Sequence, residues 1–441
     1  MLKNDQSIIF SRKWLRAILC LVVAFLSFTV LMFPSSSLLS VANAGEEPSI
    51  SEEITGVNSE GERGGIFNQN YYTITIPSNY TYSEFAVNQA EAVKLILSNM
   101  PDFSTNGPSC SFVIHTNVKY LWLVGKTTTI KCNFVVEVNR STPLNVVLEQ
   151  VNIEADVGRP GFAGVYNVDL DIHLVSASSC IKGGAKTDSN QILCQAITVR
   201  NITIKGYNDT NILALFGGAG ANGSDGQNGA SGTSTTNGNN GASGSCGLAG
   251  SSAVLSSSLH ISQCQILLKG GDGGNGGNGG NGGHGYNQPK AAIGQNGRHG
   301  THGGHGGMAG EGGVGGMALV TGSFSSSGNN VSLSIVGSKG GKAGVPGRGG
   351  NGGKGGDCGV FRTPGDGGDG GDGGYRAHGG ERGGISTVAI EPGNGLTVSI
   401  NQGTNGADSP VSAGGVGGAG GRAGSKRGAN GTNGQASVFP S

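Results

Sequence analysis

Gly270-Gly271-Asp272-Gly273-Gly274-Asn275-Gly276-Gly277-Asn278-Gly279-Gly280-Asn281-Gly282-Gly283 decides the reading of this chain. Two rows of glycine run through it with a period of three, and the third row is polar. A polyproline-II-type helix has three residues per turn, so residues three apart stack in one row about 9.3 Å apart. Such a helix makes no hydrogen bonds within itself, so its N–H and C=O groups need neighbouring helices or water. Backbones approach closely only along rows that lack side chains. Two glycine rows and one polar row therefore suit a helix packed on two sides, with one side left for solvent. Residues 365–374 and 414–421 share the pattern. Residues 217–250 carry one glycine row, which suits an edge, and they contain no proline, which excludes collagen.

The glycine blocks stop and restart around apolar segments. Ser252 to Leu268, Met317 to Val336 and Ile385 to Ile400 each hold two strand-forming runs, and their starts at 253, 318 and 386 lie 65 and 68 residues apart. This is an internal repeat of one β unit and one glycine block. The segment from Ile197 to Ile204, followed by the block at 217, reads as a diverged fourth copy.

Residues 65–216 differ from the rest in being rich in Val, Ile, Leu and aromatics. Strand-like alternation runs through Tyr72 to Ile76, Phe112 to His115, Tyr120 to Val124, Thr127 to Val138, Val146 to Ile153, Val165 to Val175 and Ile197 to Ile204. Ser83 to Leu97 instead has helical spacing, with Phe85, Val87, Ala90, Val93 and Leu97 on one face and Pro101 to stop it. The expected fold is mainly β. A β-rich domain with one helix (65–216) precedes a glycine-rich repeat domain (217–436), in which β-helix-like units alternate with a bundle of polyglycine-II helices.

Residues 1–44 read as an export signal. Lys3, Arg12, Lys13 and Arg16 precede the uncharged run from Ala17 to Phe33, and Ala42-Asn43-Ala44 gives a small-x-small cleavage pattern. A polar, Glu-rich leader (45–64) follows. The expected location is secreted or cell-surface, with no membrane span after cleavage. Removing 1–44 takes four basic groups and one acid from totals of 28 and 28, leaving 24 against 27. That near-neutral balance argues against nucleic acid as a partner.

Export also favours disulfides. Sequence neighbours suggest Cys110–Cys132, Cys180–Cys194 and Cys246–Cys264, leaving Cys358 free or cross-linked to another chain. Spacing alone does not fix this connectivity.

The repeat of Asp272, Asn275, Asn278 and Asn281 between paired glycines resembles the polyglycine-II bundles of springtail antifreeze proteins and of some bacteriophage tail-tip adhesins. The segment from Leu259 to Gly271 resembles a parallel β-helix rung leading into a glycine-rich insert, as in polymorphic surface adhesins. These resemblances cover residues 197–435 at most. They imply a helix bundle and a surface or adhesive role.

The polar rows are the candidate binding residues. They are Asp272, Asn275, Asn278 and Asn281; His299, His302 and His305; Lys339, Lys342, Arg348 and Lys354; and Asp366, Asp369 and Asp372. Histidines about 9.3 Å apart in one row cannot share a metal ion, whose bonds are near 2 Å. The basic and acidic rows are expected to attract each other, within a bundle or between molecules. No catalytic motif and no cofactor is implied. Multiple parallel rows suit a non-catalytic structural or adhesive protein making many weak contacts to glycans, cell surfaces or sister chains. Two alternatives stand beside it. One is a β-helix polysaccharide-active enzyme, with Glu154, Asp156, Asp169 and Asp171 as the available acids; the other is an ice-binding protein.

Overall fold

The computed structural model describes residues 55–56, 69–78, 80, 83–100, 109–137, 140–164, 167–191, 193–392 and 395–440. The export segment 1–44 lies outside them, as does the leader 45–64 apart from Thr55–Gly56. The described residues belong to one compact unit, Glu46–Ser441. They are mainly β, with a large, mostly parallel sheet and no α-helix.

The chain coils as a β-helix-like column with three strand faces. On the first face stack Glu84–Val87, Cys110–Ile114, Ile130–Val136, Phe162–Ala163, Ile197–Thr198 and the N-terminal halves of Val254–Ser262 and Leu319–Ser327. The second face stacks Asn70–Thr75, Ala92–Ile96, Tyr120–Val124, Leu144–Glu149, Asp169–Leu174, Asn201–Gly206 and the C-terminal halves of the same two long strands. The third stacks Asn152–Glu154, Ser178–Lys182, Ile212–Phe216, Gln265–Lys269, Val331–Val336 and Leu396–Asn401. The repeat read from the sequence is a register: Val254 pairs with Leu319 and Leu319 with Ser386.

Because pairing is in register, like residues stack into columns inside. Phe85, Phe112, Phe134 and Phe162 form one, with the rings of Phe112 and Phe134 5.2 Å apart and those of Phe134 and Phe162 4.6 Å apart. Val93, Leu121, Val146, Ile172, Ile204 and Ile261 form a second, all buried. Ile153, Ile181, Leu215, Leu268 and Ile335 form a third. Burying each such side chain contributes about 1.5–3 kcal/mol.

The helix expected over Ser83 to Leu97 is instead two strands, Glu84–Val87 and Ala92–Ile96, joined by a turn. The side-chain amide of Gln89 closes the turn, accepting from Asn88 N–H and donating to Ala86 O. Val93, Leu95 and Leu97 are buried in strand alternation. The apolar positions fit both periods, and strand pairing to the next coil decides between them.

Each glycine block is an excursion from one corner of the column. It leaves after a third-face strand, at Gly217, Gly270, Gly337 and Gln402, and the first three return to the first face. Each goes out and back as two runs: 217–232 and 238–250, 270–288 and 297–316, 337–356 and 365–384, 403–421 and 428–437. Backbone hydrogen bonds recur every third residue. Gly277 N–H donates to Ser245 O and Gly280 N–H to Ala242 O; Gly307 N–H donates to Gly280 O and Gly310 N–H to Gly277 O. Outgoing runs also bond to outgoing runs: Gly226 N–H to Asn278 O, and Gly279 N–H to Val345 O. Returning runs do the same, as in Gly303 N–H to Asp369 O. The eight runs thus form a two-layer slab, one layer outgoing and one returning.

The glycine rows are sterically required. A Cβ on Gly280 would overlap the carbonyl oxygen of Gln227, whereas one on Gly359 would meet nothing within 4 Å. Gly280→Ala is therefore expected to destabilise the protein by about 2 kcal/mol or more, and Gly359→Ala by less than about 0.5 kcal/mol. Calorimetric unfolding of both variants checks this.

Candidate functional site

The polar rows line the two broad faces of the slab, and most of their acceptors are already engaged. On the outgoing face, Asp225 Oδ1 accepts from Asn278 N–H at 2.7 Å, and Asn278 Oδ1 accepts from Val345 N–H at 2.8 Å. Asn222, Asn275 and Lys342 repeat this chain of bonds, as do Asn228, Asn281 and Arg348, while Asp272 serves Lys339 N–H. On the returning face, Asn237 Oδ1 accepts from His302 N–H at 3.0 Å. His302 Nδ1 accepts from Asp369 N–H at 2.9 Å, and Asp369 Oδ1 accepts from Thr432 N–H at 2.7 Å. His305 and Asp372, and His299 and Asp366, do likewise.

This explains why the rows are built from Asn, Asp and His. Each carries an acceptor at the δ1 position, three bonds from Cα. Each reaches the one N–H in every three residues that the glycine rows leave unpaired. A backbone N–H can only donate, so in these bonds Nδ1 of His299, His302 and His305 is the acceptor, as Oδ1 is in Asn and Asp. Two hydrogen bonds from Thr432, the backbone one first, hold the Asp369 carboxyl below the usual carboxylate range.

The rows therefore divide. The acidic row faces the histidines, at 3.3–3.5 Å for His299–Asp366, His302–Asp369 and His305–Asp372, and not the basic row. Attraction between the acidic and basic rows within the slab is thus not what holds it together. The cations of Lys339, Lys342 and Arg348 are exposed, with no ion-pair partner among the described residues, and Lys354 lies 3.4 Å from Asp357. No cluster of His, Cys, Asp or Glu among the described residues is placed to hold a metal ion.

The seven described cysteines are thiols. Cys110 and Cys132 are register partners on adjacent strands, and burial pushes both thiols up, Cys110 to about 12. Cys180 lies on a third-face strand and Cys194 is buried in the following connection. Of the suggested pair Cys246 and Cys264, Cys246 is exposed on a glycine run and Cys264 is buried in the column beside Gly206. The expected free cysteine, Cys358, is buried, so Cys246 is the exposed thiol.

A second cluster, on the outer side of the second face, was not picked out as a site by sequence. Asp169 is held by Arg200 through both carboxylate oxygens, at 2.8 and 2.5 Å, and by Asn201 at 2.9 Å. Asp171, two residues on, has no ion pair among the described residues, and burial raises its pKa. His173 continues the row, its Nδ1 3.1 Å from Tyr207 Oη. The Lys205 ammonium lies 5.8 Å from the Tyr207 ring. Burial, with a smaller contribution from Lys205, lowers the His173 pKa to about 4. The other acids considered are ion-paired: Glu154 with Lys182 at 2.7 Å and Asp156 with Lys131 at 3.0 Å. Alternation marked Asp169, Asp171 and His173 as one strand face, but the neighbours from 200–207 come only from register.

No family model matches the chain, and no curated protein matches it. Among solved structures, a nine-helix polyproline type II bundle antifreeze protein from the springtail Granisotoma rainieri is similar at 28% identity. The match covers 37% of this chain and 98% of that one, with a TM-score of 0.09, which is too low to carry an argument about fold or function.

Two outcomes follow from the site geometry. Asn278→Ala removes the acceptor for Val345 N–H and is expected to cost about 0.5–1 kcal/mol. It should speed amide exchange at Val345 while leaving Lys342, which Asn275 serves, unchanged; Asn278→Asp should preserve protection. His173 is held neutral, so the unfolded chain binds more protons between its lowered pKa of about 4 and the ordinary value of 6.5. Its contribution is fully present above pH 6.5 and is lost as pH falls toward 4. Between pH 7 and 4 the parent should lose on the order of 2 kcal/mol more than His173→Gln, read by denaturant unfolding at each pH.

Proposed function

We propose that this protein is a secreted or cell-surface structural and adhesive protein that makes multivalent contacts to anionic glycans. In this reading the β-helix-like column is the rigid stem. The eight glycine runs adopt polyglycine-II geometry and form a flat slab beside it. The observation that carries the reading is the division of the polar rows. Asn, Asp and His are consumed in side-chain-to-backbone bonds, while Lys339, Lys342 and Arg348 leave their charges in solvent along one run and Lys354 lies 3.4 Å from Asp357. In polyglycine-II geometry Lys339 and Lys342 are about 9.3 Å apart and Lys342 and Arg348, with Val345 between them, about 19 Å, spacings that a stiff polyanion can meet at several points. Single exposed contacts contribute about 0–1 kcal/mol, so useful affinity comes from their number.

The test is binding of the purified chain to immobilised sulfated or uronic-acid glycans, compared with Lys339→Gln/Lys342→Gln/Arg348→Gln. The parent should bind at low salt and the triple variant about tenfold or more weaker. Parent binding that is absent, or unchanged in the variant, removes the reading.

Asp171 and His173 favour a second reading, a polysaccharide-active enzyme. A carboxyl raised by burial beside a neutral imidazole is an arrangement suited to acid–base work. Cleavage of a polysaccharide that disappears in Asp171→Asn would support it. Inertness of the parent across a broad panel would dispose of it.

A further inference from the structure

We infer that the distal tip of the glycine slab is a docking surface for an anionic lipid bilayer. This goes beyond the glycan reading and rests on different residues. Three hairpin tips, 289–296, 359–364 and 422–427, lie side by side. Ala291 N–H donates to Asp357 O and Cys358 N–H to Arg422 O; Gly294 approaches the Arg362 guanidinium, and Val360 packs on Gly424.

The tips carry large apolar side chains that nothing in the fold covers. Relative exposure is 106% for Ile293, 95% for Phe361 and 59% for Val360. The turns do not need them. The tip of the first hairpin, Thr233-Ser234-Thr235-Thr236, is entirely polar and closes through Thr233–Thr236 hydrogen bonds. Three bulky apolar groups together on neighbouring projecting turns mark an interaction surface.

Charge selects the partner. Lys290, Arg362, Arg422, Lys426 and Arg427 lie on the same three tips as the apolar groups and are exposed. Asp357 is the only carboxylate within 289–298, 357–364 and 421–428. It is occupied, accepting from Arg422 N–H at 2.8 Å and lying 3.4 Å from Lys354. Apolar groups accompanied by cations match the acyl boundary and anionic headgroups of a bilayer. No helix among the described residues is long and apolar enough to cross a membrane.

The experiment is vesicle co-sedimentation of the chain from Gly45 onward, which contains the whole compact unit Glu46–Ser441. Phosphatidylcholine vesicles with and without phosphatidylglycerol are the probes. The parent should bind the anionic vesicles, and bind neutral ones about tenfold or more weaker. Ile293→Ser/Phe361→Ser and Arg362→Gln/Lys426→Gln/Arg427→Gln should each lose about tenfold on anionic vesicles with unchanged melting temperature. Lys339→Gln/Lys342→Gln/Arg348→Gln should bind vesicles like the parent, which separates this surface from the glycan row. Absence of vesicle binding, binding insensitive to tip substitutions, or tip-dependent dimerisation without vesicles would overturn the assignment.

Discussion

The backbone hydrogen bond of the glycine run is the constraint on which the rest depends. A run with no internal hydrogen bonds must find every N–H and C=O partner on a neighbour or in water. Here the column fixes the neighbours, because each outgoing run leaves it at the same corner. Parallel pairing of Phe216 with Lys269 and of Lys269 with Val336 sets where the runs beginning at Gly217, Gly270 and Gly337 start. The apolar column therefore does two things: it supplies most of the buried apolar area, and it aligns an assembly that glycine alone could not hold. Glycine gives up more backbone freedom on folding than any other residue, and isolated runs would not recover that cost.

With alignment fixed, the side-chain row follows. Each interior outgoing run bonds through one glycine row to the returning layer and through another to the next outgoing run. The third N–H in every three residues is left facing outward. Asn, Asp and His on the preceding run of the same layer supply its acceptor, so each slab face is a ladder of side chain to backbone to side chain. His302 stands between Asn237 and Asp369 as interchangeably as Asn278 stands between Asp225 and Val345. Residues that look like a display of polar groups along the chain are, across the stack, part of the framework. Lysine and arginine have no acceptor and cannot play that part, which is why their charges remain available.

The sequence carried the periods and the repeat but not the vertical neighbours. Period three in 270–283 and the spacing near 65 residues were legible because both are local or self-similar. The strand runs of 110–206 were legible through alternation. Ser83 to Leu97 was misread because Phe85, Val87, Ala90, Val93 and Leu97 satisfy a helix, and only pairing of Glu84–Val87 to Cys110–Ile114 and of Ala92–Ile96 to Tyr120–Val124 selects strands. The chemical types in the polar rows were visible. Their use was not, since an offset of 53 residues from Asp225 to Asn278 and 67 from Asn278 to Val345 is set by hairpin lengths. The same ignorance hid the Asp171–His173 cluster, whose neighbours Thr203, Lys205 and Tyr207 come from the next coil.

The column and the slab place different limits on change. In the column, register ties every strand to its neighbours, and a slip of one residue turns the apolar set outward. In the slab, the three-residue period sets the unit of change. One extra residue in a run would shift everything beyond it by one place in the three-residue period, bringing side chains onto rows where Gly280 or Gly307 already touches a backbone. Three extra residues in each arm of a hairpin preserve every row and lengthen only the projection. The hairpins differ in that sense: the first turns at 233–236, level with His284, while the others extend further to the apolar and basic turns. Reach of the tip can thus vary without disturbing the ladder. The fold separates a framework that tolerates little substitution from a projecting end whose length and chemistry are comparatively free.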